Sequence, residues 1–414
     1  MTVPRGIATG LATILAAGLL LGGCAAAAPP GDAERIDPDL VADLSAGDAR
    51  VVAEAVNGFG FDLLDEVTDG TGNAVTSPLS VAVLLAMVLA GAGGDTAEAM
   101  ARVLHLDGSR DVRLGALLGQ LGGTDDVTLS VANALWAQPG VPLEDDYLTF
   151  VRDTFGATVD NADLGDRDTA DEIDAWVTDR TGGLIDGIAE DLGLPSPSAV
   201  LVLVNAVYFL GEWSTRFDPS DTVDAPFTLV DGEQVRVPMM RLDGSEFGYV
   251  ERPGYRMLRL PYADDGRFAM EVLLPDSHSN LTRMLDRLDA DEWGEATEAL
   301  AERTITELAL PRFELEWQAE LDDALTALGM GRAFGPGADF RPMSPADPWL
   351  GTVVHKTYLR VDEDGTEAAA VTGGEMQFSA PARLEFRVDR PFVFTISDRE
   401  TGTILFLGAV ADPR

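Results

Sequence analysis

The stretch from Val361 to Ser379 constrains the fold of this chain more than any other, because its two faces differ in chemistry. Read at period two, Thr366, Ala368, Ala370, Thr372, Gly374, Met376 and Phe378 share one face. Glu367, Ala369, Val371, Gly373, Glu375, Gln377 and Ser379 share the other, and both charges fall there. A segment that stays in water has no reason to keep charge off alternate positions, whereas one that becomes a strand against a core must do so. Asp362, Glu363, Asp364 and Gly365 break the β-like run, and Gly373-Gly374 follow the small residues, so the segment reads as an unsettled strand.

A length of 414 residues allows two or three domains. No Pro/Gly/Ser-rich linker divides the chain after residue 50, so it reads as one large domain, and hydrophobic residues at 46% are ample for its core. The formal net charge is -41 and Lys356 is the only lysine. Binding nucleic acid requires a basic face that neutralises phosphates, which argues against that partner. The acidity reads instead as a solvated surface.

Arg5 precedes an apolar stretch from Ile7 to Leu21, too short for a comfortable membrane span, and Leu21-Gly22-Gly23-Cys24 follows. This resembles a bacterial lipoprotein signal, which implies cleavage before Cys24, lipid on its sulfur and a protein held at the outer face of the cell membrane. The other reading is an ordinary secretory peptide cut among Ala25 to Ala28. Residues 1–23 then form the signal, 24–48 an Ala/Pro/Gly/Asp-rich tether and 49–414 the folded domain. Cys24 is the only cysteine, so no intramolecular disulfide supports the fold.

Val52, Val56, Phe59 and Leu63 recur at helical spacing. Ser77-Pro78 is a helix start, and the apolar run to Leu89 predicts a helix buried all round. Val127–Ala137 reads as a strand and Asp168–Arg180 as a helix stopped by Thr181-Gly182-Gly183. Ala199–Phe209, almost wholly apolar, fits a strand covered on both faces. Strands are expected at Phe227–Val230, Val235–Val237, Met257–Leu260 and Phe268–Leu274, and helices at Leu281–Leu288 and Leu321–Leu328. Helices early and long strands late, without regular βαβ alternation, give an α+β class.

Catalysis finds little support. Only His105, His278 and His355 exist, and neither a G-x-S-x-G elbow nor an H-E-x-x-H motif is present. Seventy acids guarantee accidental carboxylate pairs, scattered histidines offer no metal-ligand cluster, and nothing implies a cofactor.

The segment Glu363-Asp364-Gly365-Thr366-Glu367-Ala368-Ala369-Ala370 resembles the reactive-loop hinge of the serpins, and Asp389-Arg390-Pro391-Phe392-Val393-Phe394 the strand after their loop. Asn73–Ser80, Gly91–Thr96, Leu203–Trp213 and Val354-His355-Lys356 match in the same order, over roughly residues 50 to 412. The resemblance implies a single α+β domain of three β-sheets with surrounding helices and an exposed reactive loop. It places Ser77, Ser80, Asn205 and His355 in a buried polar "shutter" beneath the central sheet, with His355 bridging to Asn205 and the serines, and Trp213 at the sheet's top. Counting along the loop puts the scissile bond at Phe378-Ser379, Ser379-Ala380 or Ala380-Pro381. The activity implied is inhibition, by a monomer, of a chymotrypsin-, elastase- or subtilisin-like serine protease. A non-inhibitory binding protein and a lipoprotein hydrolase are the rival classes; the first would carry charge or proline on the inward hinge face, and the second would need a nucleophile and base.

Overall fold

The computed structural model describes residues 45–122, 127–276, 281–346, 348–366 and 384–414. Among them nine α-helices are α1 (Ala46–Val67), α2 (Pro78–Leu89), α3 (Gly94–Val103), α4 (Arg113–Leu121), α5 (Asp145–Phe155), α6 (Arg167–Arg180), α7 (Leu281–Leu285), α8 (Ala290–Glu298) and α9 (Asp322–Leu325). Ser45 caps α1 by accepting from the Asp48 N–H, and α1 buries Val52, Val56, Phe59 and Leu63, the residues whose spacing defines it. Ser77 caps α2 through the Ser80 N–H, Pro78 opens its first turn, and every residue to Leu89 except Leu84 is buried. The helix expected over Leu321–Leu328 is present: after Leu325 it continues in a wider, π-helical winding, and Gly329, at φ 115°, ends it.

The strands are β1 (Ala74–Thr76), β2 (Val127–Ala137), β3 (Thr158–Asn161), β4 (Leu201–Glu212), β5 (Val223–Thr228), β6 (Gln234–Leu242), β7 (Ser245–Arg252), β8 (Tyr255–Pro261) and β9 (Phe268–Pro275). They continue with β10 (Ala301–Ile305), β11 (Glu307–Pro311), β12 (Phe313–Glu320), β13 (Val354–Val361), β14 (Gly365–Thr366), β15 (Glu385–Arg387), β16 (Phe392–Asp398) and β17 (Thr403–Val410). One sheet has seven strands in the order β1-β17-β16-β9-β8-β7-β10, and a second has four, β15-β11-β6-β5. The remaining strands form two groups, β14-β4-β2-β3 and β12-β13.

These last two groups are halves of one central sheet, which is why four hydrogen-bonded groups stand where three sheets are expected. β13 turns through Asp362–Asp364 into β14, which pairs antiparallel with β4, so β4 and β13 run in the same direction. Below β14 their facing edges part. Between them lies a cavity of about 560 Å³, with α2 on one side and the connection from α6 to β4 on the other. On β4, Val202 and Val204 pack toward α6 with Trp136, Ile173 and Val177, while Leu201, Leu203 and Val207 turn to the main core that contains α2. Alternation along one strand thus serves two apolar layers.

Candidate functional site

Two polar arrangements flank the cavity. At its upper end the chain from Asp362 to Gly365 is fastened to the end of β4. The Trp213 N–H donates to Asp364 O at 2.9 Å, the Trp213 indole N–H to Asp362 O at 2.9 Å, and the Phe217 N–H to Glu363 O at 3.0 Å. Trp213 is buried and stacks on Tyr262 with ring centroids 4.5 Å apart and planes 11° from parallel. Glu363 is buried as well, accepting from the Thr222 hydroxyl at 2.7 Å. Gly365 has φ 150°, and a Cβ on it would stand 2.2 Å from Gly211 O and 2.6 Å from Glu212 Cα. Only glycine fits there, since the two backbones approach too closely for any side chain.

The second arrangement lies in the layer of α2. His355 Nε2 accepts from the Ser77 backbone N–H at 2.9 Å, and the Ser77 hydroxyl donates to Leu405 O at 2.7 Å. Ser80 Oγ donates to Asn205 Oδ1, Asn205 Nδ2 donates to Asn133 Oδ1 at 2.7 Å, and Asn133 Nδ2 donates to Phe155 O at 2.9 Å. Burial pushes the His355 imidazole down to about 4, so it is neutral at pH 7 and fits the acceptor role. Its Nε2 is committed to a backbone N–H and the Ser77 hydroxyl to a carbonyl, so the adjacent serine and histidine are not arranged as nucleophile and base.

The structure gathers Ser77, Ser80, Asn205 and His355 at one place and sets Trp213, Glu363 and Gly365 at another. Thr366 stands opposite Gly211 in the β14–β4 ladder. The expected bridge from His355 to Asn205 is not made: the histidine reaches a main-chain N–H, and the asparagine is held by Ser80 and Asn133. Asn133 was not among the residues singled out from sequence, although its signal is an amide inside the apolar strand Val127–Ala137, directly across from Asn205. Cys24, Glu367, Ala368, Ala369, Ala370, Phe378, Ser379 and Ala380 lie outside the described residues. Among the described residues no group of three His, Cys, Asp or Glu side chains is placed to hold a metal ion.

Residues 54–413 match the family model "Serpin (serine protease inhibitor)". An uncharacterized serpin-like protein of Thermococcus kodakarensis is 37% identical over 384 residues, covering 90% of this chain and 88% of its own. A leukocyte elastase inhibitor of Xenopus tropicalis is 33% identical over 381 residues, covering 87% and 99%. Among solved structures, the thermophilic serpin tengpin in its native state superimposes with a TM-score of 0.80 at 27% identity, covering 90% of this chain and 95% of its own.

Proposed function

The chain belongs to the serpin family, and from that premise we propose that it inhibits a serine protease by offering residues 367–383 as bait and inserting the cut segment between β4 and β13. The observation that carries this reading is the register of β14. Gly365 stands opposite Glu212 and Thr366 opposite Gly211, so each further residue of an inserted strand would step one residue back along β4. Ala368 would then meet Phe209, Ala370 Val207 and Thr372 Asn205, all on the face that turns toward α2. The turn that joins Asp362 N–H to Gly365 O carries the other edge along β13, where the same Thr372 would meet His355. Small residues fall where burial without a partner would punish charge, and Glu367 falls opposite half-exposed Leu210.

Insertion would add a strand antiparallel to both neighbours in the central sheet and satisfy the open edges of β4 and β13. A protease still acylated to the loop would be carried to the far pole, and displacement of its catalytic groups by even ~1 Å costs on the order of 10²-fold in deacylation. The protein is on this reading an inhibitor and not a catalyst, attacked at Phe378-Ser379, Ser379-Ala380 or Ala380-Pro381. Cys24 would carry the lipid that holds it to the outer face of the membrane, as a monomer on a tether reaching on the order of 25–30 Å.

The test is incubation with chymotrypsin-, elastase- and subtilisin-like proteases, read as SDS-resistant complex and as the mass of the C-terminal peptide after denaturation. A covalent complex with one of them, and a peptide starting at Ser379, Ala380 or Pro381, is the expected result. Cleavage by all of them without complex and without a gain in thermal stability would replace inhibition by a binding or structural role.

A further inference from the structure

Trp349 is the most exposed large apolar side chain among the described residues, at 57%, and it lines the cavity between β4 and β13. The backbone that carries it is anchored from the next residue on. The Leu350 N–H donates to Ala333 O at 2.9 Å, the Val353 N–H donates to Asp322 Oδ1 at 2.7 Å, and Val353 O accepts from the Leu321 N–H at 2.8 Å. The registers that would bring Thr372 to Asn205 and His355 also fix where the inserted strand ends. Carried six residues further, they bring Phe378 opposite Ala199, just ahead of β4, and opposite Trp349, just ahead of β13. Ala199 lines the same cavity and offers only a methyl group, which leaves room for a ring. Phe378 shares the period-two face of Thr366, Ala368, Ala370 and Thr372, and it is the only aromatic residue of 367–383. An exposed indole on an anchored backbone and the one ring of the inserting segment therefore fall at the same level of the sheet.

We propose that Trp349 is a positioning residue that receives the Phe378 ring once the cut loop is fully inserted, and so marks the end of the strand's travel. The proposal rests on the insertion reading above. The ring covers an indole that water surrounds in the uncut protein, and an aromatic pair adds to the area it buries. One of the three candidate bonds is then disfavoured. In each, the protease serine oxygen bonds to the carbonyl carbon, the C–N bond breaks and the freed amine takes the proton. A cut at Phe378-Ser379 leaves the ester on Phe378 itself, whose ring cannot sit in the protease and against Trp349 together. A cut at Ser379-Ala380 or Ala380-Pro381 puts the ester one or two residues beyond the ring, so Phe378 seats while the protease stays attached.

The test uses the full folded domain, cut once within residues 379–383 by a protease that does not stay attached. Tryptophan emission, acrylamide quenching and denaturant unfolding are compared before and after the cut. Wild type should shift its emission to shorter wavelength and lose quenching on cleavage, and Trp349→Ala should lack that part of the change. Trp349→Ala should unfold like wild type when uncut and at lower denaturant when cut, and Trp349→Phe, which keeps a ring, should recover most of the loss. Combined with Phe378→Ala, its effect on the unfolding equilibrium of the cut form should fall short of the product of the single effects by roughly 2- to 12-fold. Strictly multiplicative effects, with Trp349 as open to the quencher after the cut as before, would overturn the seat and leave insertion standing. A wild type that gains no stability after the cut would overturn both readings. If Trp349→Ala fails to fold, Phe378→Ala decides alone: its Trp349 should stay open to the quencher after the cut, and protection equal to wild type would overturn the pairing.

Discussion

Replacing Thr366 by arginine tests the register of insertion at its first step. Thr366 stands opposite Gly211, and a Cβ on Gly211 would touch the Phe209 ring at 3.0 Å and the Tyr262 ring at 3.1 Å, both buried. A guanidinium entering on that face would meet aromatic carbon in place of a carboxylate, and an unpaired buried charge costs about 3–4 kcal/mol after relaxation. Because Thr366 already stands in the β14–β4 ladder of the uncut chain, the uncut variant should unpair β14 to keep the guanidinium in water, and re-pairing it would slow insertion by about 10²- to 10³-fold at 1.36 kcal/mol per tenfold. Deacylation would then win, so Thr366→Arg should be cut at the wild-type bond yet yield free protease and a cleaved chain. Glu367→Arg, which in the proposed register would fall opposite half-exposed Leu210, should leave inhibition nearly intact. The assay is the moles of protein consumed per mole of protease inactivated, with the SDS-resistant complex on a gel. Equal behaviour of the two arginine variants would refute the assignment of faces.

Four further outcomes follow from the clusters around the cavity and from the N-terminus. His355→Ala leaves the buried Ser77 N–H without an acceptor and should destabilise the uncut protein by roughly 1–3 kcal/mol in chemical denaturation, with chain-to-chain polymers on mild heating; a mutant as stable and monomeric as wild type would make the histidine ordinary core. Because the folded-state value of His355, about 4, lies below its ordinary 6.5, only the unfolded chain takes up this proton between those limits, and stability falls as pH drops through that window. The loss is about 3 kcal/mol from this residue, so His355→Gln should flatten the pH profile of stability between pH 6.5 and 4, and parallel profiles would contradict that. Gly365→Ala forces a methyl into the Gly211 carbonyl and should lower the melting temperature of the uncut protein measurably, whereas Gly402→Ala, with open space around it, should cost only its positive-φ strain of roughly 1–2 kcal/mol. Cys24→Ser should leave precursor uncleaved or release soluble protein, while wild type partitions into detergent; equal partitioning would remove the lipid anchor.

What sequence could show here depended on whether a signal lay along the chain or across it. α2 was legible from a cap, a first-turn proline and an unbroken apolar run, and β2 as a strand whose expected bounds, Val127–Ala137, match the observed ones end to end. The pairing of Asn133 with Asn205 was not, since it depends on a register that no single strand encodes. The split of the central sheet was equally hidden: period two reports which face a residue takes, not whether the strand's edge has a neighbour. His355 was misassigned to Asn205 because its partner is a main-chain N–H, which leaves no mark in a pattern of side chains. α3 and α5 went unnoticed, for each buries only four residues and spreads its charges over the remainder.

The order of the seven-stranded sheet places β16 and β17, the last strands in the chain, between β9 and β1, with every residue of both buried. During synthesis, the half of the core built on β1 and α1 therefore waits for a surface that emerges last, and the domain cannot close until residues 392–410 are available. Folding is then governed by contacts between the two ends of the chain, a topology that is slow and leaves apolar strands uncovered in the interim. A polypeptide truncated shortly before its C-terminus would lack the middle of a sheet and not a dispensable edge, so quality control would see it as unfolded protein.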